Sequence, residues 1–198
     1  MSPPKAVTLP DGRIWLRVAD PDWPDPLDPS FAAGSGGRWN PPGSFPVLYL
    51  NADLATARLQ LDRLVSEQPY TVDDLADDAY TLVASRLPKN QRCADAVSQA
   101  GLEALGLPAS YPVNASGEVV GHDTCQAIGE EVYEARLRGV WCISALTSEP
   151  TGRELAWFPA SSRFRARPVW AEGQPLGQWR EAISWSDIGL SSQPNPTP

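Results

Sequence analysis

Histidine is almost missing from this chain. His122 stands alone, beside Cys93, Cys125 and Cys142, in 198 residues. Neither the count nor the spacing matches a structural zinc pattern, so no metal is expected. An odd number of scattered cysteines also excludes a disulfide framework, and the thiols read as free in a reducing compartment. No stretch approaches the ~20 apolar residues of a membrane span, and the opening Met-Ser-Pro-Pro-Lys lacks the apolar centre of a signal peptide. The chain therefore reads as soluble and cytoplasmic, with no membrane partner. Basic excess is missing too: 16 Lys and Arg face 24 Asp and Glu, a net charge of −8. That argues against direct nucleic-acid binding, which needs a basic face. A small anion is still accommodated, because one or two arginines suffice for a pyrophosphate.

What is abundant is proline and glycine, 21 and 15 residues, with eight tryptophans. The first two imply long ordered loops between short elements, and the tryptophans are expected mainly in the core. The length suits a single domain with its own core. A polar lead is expected over 1–12, the domain over 13–188 and a disordered tail over 189–198.

Alternation over 13–19 predicts a strand with Ile14, Leu16 and Val18 on one face and Arg17 on the other. Residues 20–33, rich in proline and aspartate, are expected to be irregular. Phe45 to Leu50 reads as a strand, and Asp53 as the cap of a helix over 53–67 carrying Leu54, Ala57, Leu61, Leu64 and Val65. The acidic run Asp73, Asp74, Asp77 and Asp78 is a solvated surface or a docking face for a basic partner. A strand over 79–87 follows, then a short helix around Cys93, Ala96 and Val97. Asp123 and Gln126 have capping-box spacing at the head of a helix through Arg138. Further strands are expected over 140–146, 154–158 and 164–170. About six strands and three or four helices in mixed order make an α+β domain.

Several residues could carry chemistry. The string G-G-R-W-N-P-P-G, residues 36–43, places Arg38, Trp39 and Asn40 after glycines that permit close backbone approach to a phosphate. It is not a dinucleotide-binding G-x-G-x-x-G element. The guanidinium forks of Arg17 and Arg38 suit bidentate phosphate contact; otherwise Arg17 is a surface strand residue and Arg38 pairs with a local aspartate. Tyr49 is a strand-end aromatic. Gln60 lies on or beside the apolar stripe of its helix and calls for a partner. His122 adjoins Asp123 and orients it, carries a proton, or is simply solvated.

The stretch G-G-R-W-N-P-P-G-x-F-P-x-L-Y-L, followed by a small-residue helix, resembles the RES domain, and the likeness extends from about Trp15 to Phe158. The resemblance implies an ADP-ribosyltransferase-like α+β fold with mixed and antiparallel sheets and flanking helices. It implies a toxin of a bacterial toxin–antitoxin pair that degrades NAD as substrate, cleaving the nicotinamide–ribose bond with water or phosphate as acceptor. It also implies a helix-turn-helix antitoxin of Xre type as partner, and assembly of such pairs into larger complexes. Arg17, in a segment like W-x-R-V, and Tyr49 match functional positions, and Arg38, Trp39 and Asn40 join them in the NAD pocket. Two positions depart. The family glutamate eleven residues after the tyrosine is Gln60 here. A serine expected ahead of a C-Q-A-V-G-like helix falls on Asp123, ahead of C-Q-A-I-G, residues 125–129. Asp123 is then a helix cap, or a carboxylate relocated from position 60; Thr147-Ser148 is a further place for the missing hydroxyl. The competing readings are a RES relative that binds a nucleotide or protein partner without turnover, and an ADP-ribosyltransferase acting on a macromolecule.

Overall fold

One sheet of nine short strands organises the chain, in the order β1-β5-β6-β7-β3-β2-β4-β8 with β9 beside β4. The strands of this computed structural model, which describes residues 3–146, 150–161 and 163–191, are β1 (Ala6–Thr8), β2 (Ile14–Ala19), β3 (Leu48–Asn51), β4 (Thr81–Arg86), β5 (Arg92–Ala96), β6 (Gly139–Ile143), β7 (Arg153–Trp157), β8 (Arg167–Pro168) and β9 (Gln174–Pro175). The helices are α1 (Ser30–Ser35), α2 (Leu54–Val65), α3 (Gln99–Ala104), α4 (His122–Glu134) and α5 (Leu176–Trp179). Among the described residues all strand pairings are antiparallel except β5 with β6. This is the α+β architecture that the mixed element order predicts. Among the described residues no helix is long and apolar enough to cross a membrane.

Alternation sorts the side chains into two faces. On one, Ile14, Leu16 and Val18 of β2 meet Leu54, Ala57 and Leu61 of α2. Further along that face, Val140, Cys142 and Ala156 meet Cys125, Ile128 and Val132 of α4. On the other, Trp15, Leu48, Leu50, Leu155 and Trp157 form a third cluster. The sheet curls around this third cluster, since Trp15 on β2 reaches Trp141 on β6 at 5.5 Å between ring centroids although β7 and β3 lie between. Trp15, Trp39, Trp157 and Trp179 are each buried to within 2%, as expected of large aromatics.

The halves of the sheet are joined narrowly. Among the described residues β2 meets β3 at a single register pair, Leu16 opposite Asn51. Elsewhere β2 pairs along its whole length with β4, and β3 with β7. Arg17 directly follows this junction on β2, while Tyr49 precedes it by two residues on β3.

Several expectations are corrected. The lead contains β1, which pairs with β5. Residues 92–96, expected to be helical, form β5, because strands on both sides bury Cys93, Ala94 and Ala96 completely. Context outweighs the helix propensity of alanine there; the helix begins later, with Ser98 capping α3. Residues 20–33 end inside α1 rather than in irregular chain. The strand expected over 164–170 shrinks to β8, and β9 and α5 follow it. Leu190, placed in the tail, packs at 8% exposure beside Trp179 and Ile188; the rest of the expected tail, from 192, and Thr147-Ser148 lie outside the described residues. Asp123 is not a cap: Gly121 is the N-cap of α4, without a side-chain bond, and Asp123 lies exposed in the first turn. Asp53, by contrast, caps α2 as expected, accepting from the Thr56 amide at 2.8 Å.

Gly129 lets α4 seat against the glycine loop, because a Cβ there would overlap the carbonyl oxygen of Trp39. Gly129→Ala is expected to destabilise the fold by about 1–3 kcal/mol through overpacking, read as a lowered midpoint in urea unfolding.

Candidate functional site

The glycine loop is pinned by one phenol. Tyr49 projects from β3 beneath residues 37–40, and its hydroxyl accepts from the Trp39 amide at 2.8 Å and donates to Asn40 Oδ1 at 2.8 Å. Asn40 is fully buried and donates to the Ala32 carbonyl at 2.6 Å, closing the loop onto α1. Gly37 packs on the Tyr49 ring, where a Cβ would stand 2.5 Å from the hydroxyl. Gln126 of α4 holds the Gly37 carbonyl from the other side at 2.9 Å. Burial raises the Tyr49 pKa, although the Trp39 amide bond works the other way. The phenol is therefore a neutral structural donor and acceptor at physiological pH.

Arg38 emerges from the pinned loop. Its Nη2 donates to the Val120 carbonyl at 2.7 Å and its Nε to the Tyr111 hydroxyl at 3.3 Å. Burial opposes its charge, but Tyr111, Cys125 and Cys142 outweigh that and hold the guanidinium above its ordinary value. Among the described residues Nη1 makes no hydrogen bond, so a fixed cation is presented with one donor group free.

The same sheet face continues past Tyr49 to Asn51, 3% exposed, whose Nδ2 donates to Gln60 Oε1 of α2 at 2.6 Å. Gln60 thus finds the partner that its place on the helix demands. Opposite Asn51 on β7 stands Glu154, which also faces Cys142 of β6. Glu154 accepts from the fully buried Ser144 hydroxyl at 3.1 Å. Burial pushes its carboxyl up to about 6, more than the Ser144 bond and the field of Arg38 bring it down. Arg38, Tyr49, Asn51, Gln60, Ser144 and Glu154 therefore share one face, between α2 and the loop.

Two candidates lie apart. Arg17 follows Leu16, so alternation turns it to the opposite face. There its guanidinium lies 5.2 Å from the Trp23 ring. Burial pushes its pKa down to about 10 despite the nearby Asp25 and Asp28. Its Nη1 is buried with no hydrogen-bond partner among the described residues. Trp23 in turn touches Phe31 of α1, which leads into the glycine loop. Asp123 sits one turn ahead of Gln126 on α4 and is exposed, as is His122.

Asn51, Ser144 and Glu154 join the site without belonging to any of the motifs that single out the other candidates. Asn51 was two residues beyond Tyr49 and hence on its face, which alternation alone could have revealed. For Glu154 the signal was weaker: an acid opening the otherwise apolar run Leu155 to Phe158. Surface cavities open elsewhere among the described residues, one of about 310 Å³ beside Asp25, Val83 and Trp170. A second, of about 240 Å³, opens between α2 and α5 beside Arg58 and Trp179. Another of about 610 Å³ runs past Arg86, Lys89 and Phe164.

Comparison with known proteins bears on this geometry. The family model described as the RES domain matches residues 14–178. The NAD(+) phosphorylases MbcT of Mycobacterium bovis and Mycobacterium tuberculosis are 27% identical over 118 residues, 59% of this chain and 59% of each relative. The match thus spans little more than half of those proteins. The crystal structure of the M. tuberculosis MbcT–MbcA toxin–antitoxin complex superposes with a TM-score of 0.69 at 20% identity, over 88% of this chain and 90% of that one, a likeness of fold.

If the Tyr49 hydroxyl is what holds the loop, Tyr49→Phe leaves the buried Trp39 amide and Asn40 side chain without it. The variant is expected to lose about 1–3 kcal/mol of stability and to exchange the Trp39 amide hydrogen faster, measured by urea unfolding and by hydrogen exchange.

Proposed function

Because the chain belongs to the RES domain family, we propose that it degrades NAD by cleaving the bond between nicotinamide and ribose. Phosphate is the proposed acceptor, by analogy with the relatives named NAD(+) phosphorylase. The observation that carries the reading is the shared face of Arg38, Tyr49, Gln60 and Glu154 at the narrow β2–β3 junction, within the matched residues.

The chemistry asks little of a nucleophile. Nicotinamide leaves neutral from a cationic glycosyl bond, so the site has to hold the dinucleotide and stabilise positive charge growing on the ribose. Arg38, fixed at two of its nitrogens, is the proposed pyrophosphate ligand on one side of the junction. Arg17, just past the junction on the reverse face, is proposed as a separate anion donor where the dinucleotide passes the β2–β3 join, since among the described residues its buried Nη1 has no hydrogen-bond partner. Trp39 and Asn40 act through the loop, one buried as its anchor and the other tied to Tyr49. Asp123, exposed in the first turn of α4 ahead of Gln126, is the proposed contact for the outer part of the substrate or for a partner.

The proposed partner is an antitoxin of helix-turn-helix, Xre-like type, and the fold likeness to a chain taken from a toxin–antitoxin complex supports it. Pairs are proposed to assemble further, in the cytoplasm, where NAD and phosphate are both at hand. Gln60 favours a second reading, a domain that binds NAD without consuming it.

Purified protein incubated with NAD, with and without phosphate, separates these readings. Phosphate-dependent release of nicotinamide, with a phosphorylated ADP-ribose product by mass spectrometry, is expected. NAD that is bound but not consumed would establish the second reading instead. Arg38→Ala and Arg17→Ala are each expected to lower kcat/KM by roughly 100-fold, the scale of losing a charged hydrogen-bond donor at about 2.7 kcal/mol. Unchanged kinetics would remove that arginine from the site.

A further inference from the structure

Gln60 leaves α2 without a carboxylate at the position where the family pattern has one, and Asp123 is exposed on another helix. Yet an acid stands within the cluster. Glu154 is directly across from Asn51 in the β3–β7 register, and Asn51 donates to Gln60 at 2.6 Å. Gln60 and Glu154 are therefore both neighbours of the buried Asn51, one through a hydrogen bond and the other through strand register. We propose that Glu154 is the catalytic carboxylate of this chain, supplying from β7 the negative charge that Gln60 cannot supply from α2. The inference rests on the NAD-cleaving reading above.

Its surroundings fit the role. Among the described residues Glu154 forms no ion pair, and its Oε2 makes no hydrogen bond. Ser144 orients Oε1, and the other oxygen is left for a substrate. A partly buried carboxylate held by one hydroxyl is poorly placed for stability, which makes sense where the charge is used. The neutral residue at 60 follows from the same geometry. Two carboxylates neighbouring one buried amide would repel, and one would remain protonated. A glutamine there keeps the hydrogen bond to Asn51 and lets Glu154 ionise.

In the reaction the C1″–N bond breaks and its electron pair leaves on nicotinamide. A phosphate oxygen bonds to C1″, and any proton on that oxygen passes to solvent. Glu154 stays ionised throughout and forms no bond; it faces the positive charge that builds on the ribose. The titratable groups around it are Tyr49 from β3, Cys142 from β6 and Arg38 from the loop, with Cys125 of α4 beside Arg38. Burial raises the phenol and both thiols, so they remain neutral where Glu154 titrates. The carboxyl, pushed up to about 6 by burial, is then the protein group near the ribose that changes charge in that range; the phosphate itself loses its second proton nearer neutrality, and the Glu154→Gln profile separates the two.

The test is NAD consumption in phosphate by the full chain, compared with Glu154→Gln and the exchange variant Gln60→Glu/Glu154→Gln, from about pH 5 to pH 8. Wild-type turnover is expected to fall as pH drops through about 6. Glu154→Gln is expected to be slower by roughly 100-fold, to lose that acid limb and still to be protected from heat by NAD. The exchange variant, with the charge restored beside Asn51, is expected to recover at least about tenfold. A control on folding comes from the raised carboxyl. Its contribution to stability is present below the unfolded carboxyl pKa of about 4.3 and is lost as pH rises through the folded value. Glu154→Gln is thus expected to melt no lower than wild type at pH 8, and a clearly lower melting point there would count against a strained charge. Near-wild-type turnover in Glu154→Gln, or a wild-type rate flat across the range, would overturn the assignment, and the second measurement needs no variant. A wild type that consumes no NAD overturns the NAD-cleaving reading and this inference together. An active wild type with an indifferent Glu154→Gln overturns this inference alone.

Discussion

The phenol of Tyr49 is the constraint on which the site depends. One hydroxyl accepts from the Trp39 amide and donates to Asn40, so both of its hydrogen-bonding roles are spent inside the protein. Everything nearby is built to that geometry. Gly37 is small so that the ring can lie against the backbone, and Gly129 is small so that α4 can close on Trp39. Asn40 then carries the lock to α1. A loop so rich in glycine is free to take many conformations in an unfolded chain. Here it is held from below by a strand and from the side by a helix, and Arg38 inherits that fixed position.

The electrostatics of the cluster are asymmetric. Arg38 keeps its charge because its neighbours include two hydrogen-bond acceptors and groups that favour the cation. Glu154 has one hydroxyl and no salt-bridge partner among the described residues, and burial lifts its carboxyl toward neutrality. A fixed positive group and a poised negative one on the same face, about a neutral Asn51–Gln60 pair, suit a substrate with a pyrophosphate at one end and a developing cation at the other. The single register pair between β2 and β3 adds a mechanical element. The two halves of the sheet meet there with little backbone hydrogen bonding between them, and Arg17 sits just past the join on the reverse face.

Local pattern carried a good part of this far. The strand around Arg17, the strand ending at Tyr49 and the helix capped by Asp53 are all recognisable from alternation, helical spacing and a side-chain acceptor at the cap. Local pattern misled where neighbours in space decide. Residues 92–96 look helical because alanine favours helices, but lying between β1 and β6 makes them a strand. Asp123 and Gln126 have capping-box spacing, but the chain enters α4 two residues earlier, at Gly121. Gln126 is used instead to grip the Gly37 carbonyl.

By itself the sequence determined the class of fold, the glycine-rich loop with its arginine, the tyrosine at the strand end, and the lack of a carboxylate at position 60. Those are statements about neighbours along the chain, where hydrogen-bond caps and side-chain periods operate over a few residues. Only the tertiary structure decided that Arg17 faces away from Tyr49, that Asn51 joins Gln60, and that Glu154 comes to stand across from that pair. Glu154 is more than ninety residues beyond Gln60, and what brings them together is the register of β7 against β3. Register is set by burying Leu155 and Trp157 on one face of the sheet, and that burial exists only when the whole sheet has formed.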